Sequence, residues 1–420
     1  MSTTAASDAI DLSPSRTSLS GLDGINFFLA GMQAGFGPFV AVLLADEKWT
    51  PQNIGFVLSV SGLAGLLSQL PGGELLDASR SKRLLVALGA IVVAVSALVI
   101  AFWPILSVVF VALALQGLTG GVLGPAVAAI SLGLVGHPAL AERLGRNQRF
   151  ASAGALTVTG LMGAIGYFSS YRAIFFVSAA LVLPLLVAIA RVRSADVHFG
   201  RSCGQPNHHA STPPPRAGRL SLCKNYNLLT FAGCLFLFQF ANASVLPLAG
   251  ERLAYRSGTS ASFIISALII LPQIVVVLTA PWVGRLAQSW GRRPLLLIGF
   301  SALTVRVLLF AVTTNPPLLI CIQLLDGVSG TTLGVLTALI VADLTNRTGR
   351  FNLAQGFVGT LAGTGASLGT TFFGVVFENF GSVIGFFSIA GVALSTVFLA
   401  WVLMPETRPS NQKSEPLRST

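Results

Sequence analysis

Asp326 and Arg306 are charged residues inside otherwise apolar runs, LLICIQLLDGVSG and FSALTVRVLLF. An acid and a base in such surroundings can do three things: pair with each other, carry a proton, or bind a basic or polar solute. Five amides stand in comparable surroundings, Gln33, Gln116, Gln239, Asn242 and Gln323. Gln239 and Asn242 are three residues apart and so share one helical face. Such amides either hold helices together or line a water-accessible cavity. The parts for covalent chemistry are missing. No His lies in an apolar run, there is no glycine-rich loop ending in Gly-Lys-Ser/Thr, and no Ser-His-Asp set can be assembled. An enzyme and an ATP-driven pump are excluded on that ground. The four cysteines (Cys203, Cys223, Cys234, Cys321) form no CxxC pair, and His208 and His209 are adjacent without a third ligand. That pattern implies neither a metal, nor a cofactor, nor redox chemistry.

The elements that carry these residues follow from composition. Of 420 residues, 53% are hydrophobic and only 10% are charged, with a mean hydropathy of +0.78. A soluble domain has roughly 25% charged residues, so this chain belongs in lipid. A helix crosses about 30 Å of hydrocarbon in about 20 residues. Runs of that length fall near 22–45, 54–73, 84–103, 105–130, 150–167, 172–190, 225–248, 258–281, 295–314, 317–341, 352–375 and 383–404. The expected fold is an all-α polytopic membrane protein with twelve transmembrane helices in two six-helix bundles. The run 105–130 is long for one crossing, which suggests tilt or continuation past the membrane surface. Counting from the Asn315-Pro316-Pro317 turn, Arg306 lies about as far back as Asp326 lies forward. An antiparallel helix pair therefore brings both to the same depth, near mid-membrane.

The formal charge of +11 is decided by its distribution. With the N-terminus inside, 21 of the 26 basic residues fall on the cytoplasmic side, four (Lys48, Arg172, Arg252, Arg256) on the outer side, and Arg306 within a span. This is the positive-inside bias, and it places both termini in the cytoplasm of a cell-membrane (inner or plasma membrane) protein. A nucleic-acid partner would need those charges on one continuous surface. Residues 1–21 lack a basic start and a small-residue cleavage site, so the first span is read as a permanent helix.

The longest polar interval, 191–224, contains PNHHASTPPPRAG and reads as a disordered linker. It divides the chain into a tail (1–21), a bundle (22–190), the linker, a second bundle (225–404) and a tail (405–420). The halves repeat. Leu115-Gln116-Gly117-Leu118-Thr119-Gly120 corresponds to Leu325-Asp326-Gly327-Val328-Ser329-Gly330, GELLDASRSKR from Gly73 to GRLAQSWGRR from Gly284, and Gln33 before Pro38 to Asn242 before Pro247. The offsets are 210, 211 and 209, as in a parallel structural repeat.

On these features the sequence resembles the major facilitator superfamily of secondary transporters over nearly its whole length. The family's cytoplasmic motif is matched by Gly73, Asp77, Lys82 and Arg83, with Arg80 in place of its second Gly. The second copy keeps Gly284, Gly291, Arg292 and Arg293, with Gln288 at the acidic position. The resemblance implies a central cavity bordered by the first, fourth, seventh and tenth spans, which makes Gln33, Gln116, Gln239, Asn242, Gln323 and Asp326 the cavity candidates. It also implies that Asp77 packs near helix ends and pairs with basic residues, Arg146 or Arg149, as a latch that closes the inside. Two family features are absent: the fifth span lacks the antiporter Gly-Pro, and Leu113 replaces an Arg of the fourth.

Small residues in the fifth span (Gly154, Gly160, Gly163, Gly166) and the eleventh (Gly356, Thr360, Thr364, Ser367, Thr371) let helices approach and slide. Asp23 reads as a helix-start cap, and Glu251 and Glu378 as solvated outer-face residues. Phe36, Phe39, Phe236, Phe238 and Phe240 suggest an apolar cavity wall. The expected function is alternating-access transport driven by the proton gradient, with efflux of amphipathic or drug-like organic solutes first. The alternative is uptake or export of a small metabolite, a sugar or an organic anion. Sugar cavities need several amide and carboxylate hydrogen bonders. The expected unit is a monomer in contact with membrane lipid.

Overall fold

The computed structural model describes residues 14–34, 36, 38–204, 224–257, 261–346 and 348–408; the side chains of 250–257, 261–266 and 316 lie outside that description. His208, His209, Cys223, the second half of the linker, most of both tails and the side chains of Glu251, Arg252 and Arg256 therefore fall outside it. In chain order the helices are α1 (Arg16–Ala34), α2 (Pro38–Asp46), α3 (Pro51–Ala78), α4 (Lys82–Phe102), α5 (Leu106–Phe168), α6 (Tyr171–Ala180) and α7 (Val182–Arg191). A short α8 (Phe199–Ser202) precedes α9 (Tyr226–Ser257), α10 (Ala261–Ser289), α11 (Arg292–Val312), α12 (Pro316–Leu344) and α13 (Phe351–Leu403). The described residues contain no strand. Among the described residues, ten helical stretches are long and apolar enough to cross a membrane. The chain is an all-α, multi-pass membrane protein. Large side chains such as Leu67, Leu63 and Phe398 are more than half exposed, as lipid-facing positions should be.

Start signals follow local chemistry. Thr50 caps α3, its hydroxyl accepting from Asn53 N at 3.3 Å, with Pro51 in the first turn where its missing N–H costs nothing. Ser170 caps α6 in the same way through Ala173 N at 3.2 Å.

Two helices are too long for one crossing. α5 has 63 residues and α13 has 53, whereas about 20 suffice. Each turns sharply at one glycine with a left-handed backbone, Gly136 at φ 68 and Gly381 at φ 80, a conformation that side-chain-bearing residues adopt at a cost. The run 105–130 thus continues as helix to the Gly136 bend, and the polar stretch after it, expected between spans, is helical as well. The reason lies in its polar residues, which satisfy one another. Asn147 donates to Ser131 Oγ at 2.7 Å and Arg143 Nε to Asn147 Oδ1 at 2.7 Å.

The buried apolar residues form two clusters. One is built from residues 22–197; the other comes from 228–404 together with residues 128–144 of α5. Through that shared stretch of α5 the first half of the chain packs on the second, as it does where α3 meets α13.

Candidate functional site

Between the two clusters lies a cavity of about 670 Å³. The first half lines it with Asn26, Gln69, Asn147 and Gln148, and the second half with Gln239, Asn242, Gln273 and Gln355. Asp326 is the only acid among the described lining residues, and Phe238 the only aromatic. Gly120 and Gly124 also line the cavity, and a Cβ on either would meet nothing within 4 Å.

Asp326 sits at the edge of this cavity with its side chain 31% exposed, and Arg306, 3% exposed, stands behind it in a direct ion pair. Matching distance from the Asn315 turn does bring the two together. Arg306 also donates to Asn242 Oδ1 at 2.6 Å, tying α11 to α9 as well as to α12. Gln323 donates to Asp326 Oδ2 at 3.4 Å. A buried guanidinium needs this compensation because its desolvation is costly.

Of the sequence-derived cavity candidates, Gln239, Asn242 and Asp326 line the cavity, whereas Gln33, Gln116 and Gln323 are not among its lining residues. Gln116 accepts from Ser61 Oγ at 2.8 Å and so ties α5 to α3. Gln323 is 1% exposed behind Asp326, and Gln33 ends α1 half-buried. The expected aromatic wall is core packing instead. Phe36 meets Phe175 edge-on at 6.2 Å, Phe240 meets Phe373 at 5.2 Å, and Phe36, Phe39, Phe236 and Phe240 are not among the lining residues. Six lining amides not singled out in the sequence, Asn26, Gln69, Asn147, Gln148, Gln273 and Gln355, sit on α1, α3, α5, α10 and α13. Their signal was available: each is a carboxamide in an apolar helical run or at its edge. Gln355 lines the cavity, and its Nε2 is buried without a hydrogen-bond partner.

The face carrying most of the basic residues is closed. Asp77, fully buried, accepts from Asn352 N at 3.2 Å, Asn352 Nδ2 at 2.7 Å and Leu353 N at 3.0 Å. It therefore caps the N-terminus of α13, where a negative charge meets unsatisfied N–H groups. The expected partners of Asp77 are corrected by this geometry. Arg146 pairs with Asp23 at 2.7 Å, beside Arg143 at 2.6 Å, and Arg149 is exposed. Asp23 is accordingly a buried ion-pair centre rather than a helix-start cap.

Close approach at this face depends on glycine. A Cβ on Gly73 would lie 2.5 Å from Asn352 O, one on Gly145 2.5 Å from Ala280 O, and one on Gly284 2.6 Å from Ala141 O. Lys82 is buried against Ser79 O at 3.3 Å, and Arg83 donates to Ser194 Oγ at 2.5 Å. In the second half, Gln288 reaches across to Pro138 O at 3.0 Å. Gly291 turns the chain at φ 99, Arg292 pairs with Asp343 at 2.9 Å, and the N–H groups of Arg292 and Arg293 donate to Glu406 at 2.8 and 3.1 Å. Thr360, Thr364, Ser367 and Thr371 bond back to carbonyls of their own helix, so their hydroxyls are already used.

A sequence profile of the Major Facilitator Superfamily matches residues 22–275 and 228–420. The chain belongs to this superfamily. It is 36% identical over 392 residues to two uncharacterized MFS-type transporters of Mycobacterium tuberculosis, covering 93% of this chain and 94% of theirs. It is also similar in part to a tetracycline resistance protein, class B, of Escherichia coli, 32% identical over 24% of this chain and 25% of that one. The multidrug resistance protein fnx1 of Schizosaccharomyces pombe is 28% identical over 40% of this chain and 31% of its own. Among solved structures, the proton:xylose symporter XylE superposes with a TM-score of 0.71 at 14% identity, covering 93% of this chain and 96% of that one. The protein is a secondary-active membrane transporter and not an enzyme.

Proposed function

We propose that this transporter moves a small, hydroxyl-rich polar solute by alternating access, coupled to the proton gradient. The observation that carries the reading is the set of eight lining carboxamides, four from each half, with a single acid and a single aromatic. Carboxamides donate and accept at once, which suits a neutral solute whose hydroxyls do the same. An amphipathic solute would rest on the apolar part of the wall, Leu235, Phe238, Val276, Leu333 and Val358, and would leave most of these amides unused. The ion pair leaves the site with no net charge from Asp326 and Arg306, which disfavours an organic anion. Asp326, reachable from the cavity and paired with Arg306, is the group through which a proton would be coupled.

The rest of the reading concerns topology. The bends at Gly136 and Gly381 each divide one long helix into two crossings, which brings the ten stretches to twelve spans in two six-helix bundles, 22–190 and 225–404. Tails 1–21 and 405–420 and the linker 191–224 lie on the basic, cytoplasmic side. The closed face is then the cytoplasmic one, and the protein is described in its outward-facing arrangement, as a monomer with lipid around it. A second reading, efflux of drug-like solutes, draws support from the names of the resistance proteins that match parts of the chain.

The test is a solute screen in proteoliposomes with an imposed pH gradient, read by an internal pH dye. Sugars and polyols should move protons with saturation, while lipophilic cations and organic anions do not. Proton movement with lipophilic cations alone would establish the second reading.

A further inference from the structure

The closed face is built from three elements rather than two. Residues 198–204 begin the connection between the halves and are packed in rather than lying over the surface. Ser202 is 0% and Cys203 3% exposed. The Cys203 carbonyl accepts from Phe351 N at 3.3 Å, and the Ser202 carbonyl from Asn352 Nδ2 at 3.2 Å. Asp77 takes the next two backbone donors of α13, those of Asn352 and Leu353. Three successive N–H groups at this helix start are thus shared out, the first to the connection and the next two to Asp77.

The same segment is fastened to the first half. His198 N donates to Gly133 O at 3.2 Å. Lys82 Nζ lies 4.7 Å from the Phe199 ring centroid and 3.6 Å from Cys203 Sγ, and the thiol reaches Asp77 O at 3.7 Å. With α7 joining it covalently to that half, a motion that separates Asp77 from α13 carries the segment along. The bonds it makes to Phe351 and Asn352 then break in the same step.

We infer that residues 199–204 are a strap forming the third part of the cytoplasmic gate, and that the Cys203 thiol is uncovered only when the gate opens. The inference rests on the reading of this face as one that opens and closes during transport. While the gate is closed, burial pushes the Cys203 thiol above its ordinary range, which keeps it inert. Opening restores water and reactivity together.

The test uses the full chain in membrane vesicles with Cys223, Cys234 and Cys321 replaced by Ser, leaving Cys203 as the sole thiol, and a fluorescent maleimide as the probe. The Cys203 thiolate adds to one alkene carbon, forming a C–S bond, and the other takes a proton from water; nothing leaves. Labelling is compared with the gate intact, with Asp77→Asn, and with Gly145→Leu, which wedges α5 from α10 without touching the strap. A companion chain, with Ala141→Cys in place of Cys203, reports the α5–α10 contact independently. At least fivefold faster labelling of Cys203 in either gate variant, alongside faster labelling of Ala141→Cys, is expected. Fast labelling at position 141 with Cys203 still protected would overturn the strap while leaving alternating access standing. No acceleration at either position would overturn the gate reading itself, and the strap with it.

Discussion

Replacing Asp326 by Asn removes the compensating charge from Arg306 while leaving shape nearly unchanged. Arg306 is 3% and Asp326 31% exposed, so the two halves of the pair are not equivalent. Without Asp326, a guanidinium is left in a dry site with Asn242 as its remaining hydrogen-bonded neighbour, and breaking a buried pair in this way costs about 3–5 kcal/mol. Arg306→Gln instead leaves a carboxylate that cavity water can reach, at about 1–3 kcal/mol. The double variant has no orphan charge, and most of the loss should return. The assay is thermal unfolding of the detergent-solubilised protein by tryptophan fluorescence, with monodisperse yield as a second reading. Expected is an order in which Asp326→Asn is least stable, Arg306→Gln intermediate and the double variant nearest the parent. Additive losses, or Arg306→Gln as the worse single change, would refute the reasoning. The same variants separate structure from coupling. A double variant that folds and exchanges solute but cannot accumulate it against a gradient would give Asp326 the proton role.

Three further outcomes follow from the geometry. Tags at residues 5, 210 and 415 should resist protease added outside whole cells; cleavage at residue 210 would break the six-plus-six arrangement. Asp77→Asn removes a charged helix cap, worth about 1–2 kcal/mol, and should raise reagent access at the cytoplasmic mouth by about 5–30-fold with modest loss of folded yield; unchanged access would reduce Asp77 to a structural anchor. Gln355→Leu deletes a buried, unpartnered donor on a residue that lines the cavity, so stability should hold or rise while KM for the solute rises by about 5–10-fold, as loss of one hydrogen bond of about 1 kcal/mol implies; loss of stability with KM unchanged would argue against a binding role.

How much of this was readable beforehand depended on whether the signal was local. Apolar runs of about 20 residues mark the crossings because the bilayer imposes that length. Arg306 and Asp326 were found by counting from one turn, since two helices joined at Asn315 must run side by side. Asp77 was recognisable as a gate residue, but its partners were not. They are backbone N–H groups 275 and 276 positions away, and every residue but proline carries such a donor. Asp23 looked like a cap because it stands near a span edge, whereas its charge answers Arg143 and Arg146, more than 100 residues on. Six of the eight cavity amides were not legible in this way, because the cavity draws not only on four spans but also on α3, on α10 and on the part of α13 that faces α3. The helix that resumes directly after the Gly136 bend was hidden by polar residues that look like a loop until their mutual hydrogen bonds are seen.

Gly120 lines the cavity, and a Cβ there meets nothing within 4 Å, so Gly120→Cys in a chain without other cysteines places a thiol in the solute path at little structural cost. Its reaction with a membrane-impermeant methanethiosulfonate, applied to one face at a time in right-side-out and inside-out vesicles, tests alternating access directly. At rest the thiol should react from the outer face and be protected from the cytoplasmic one; Asp77→Asn should reverse that preference. Equal reaction from both faces at once, or protection from the outer face at rest, would contradict the account.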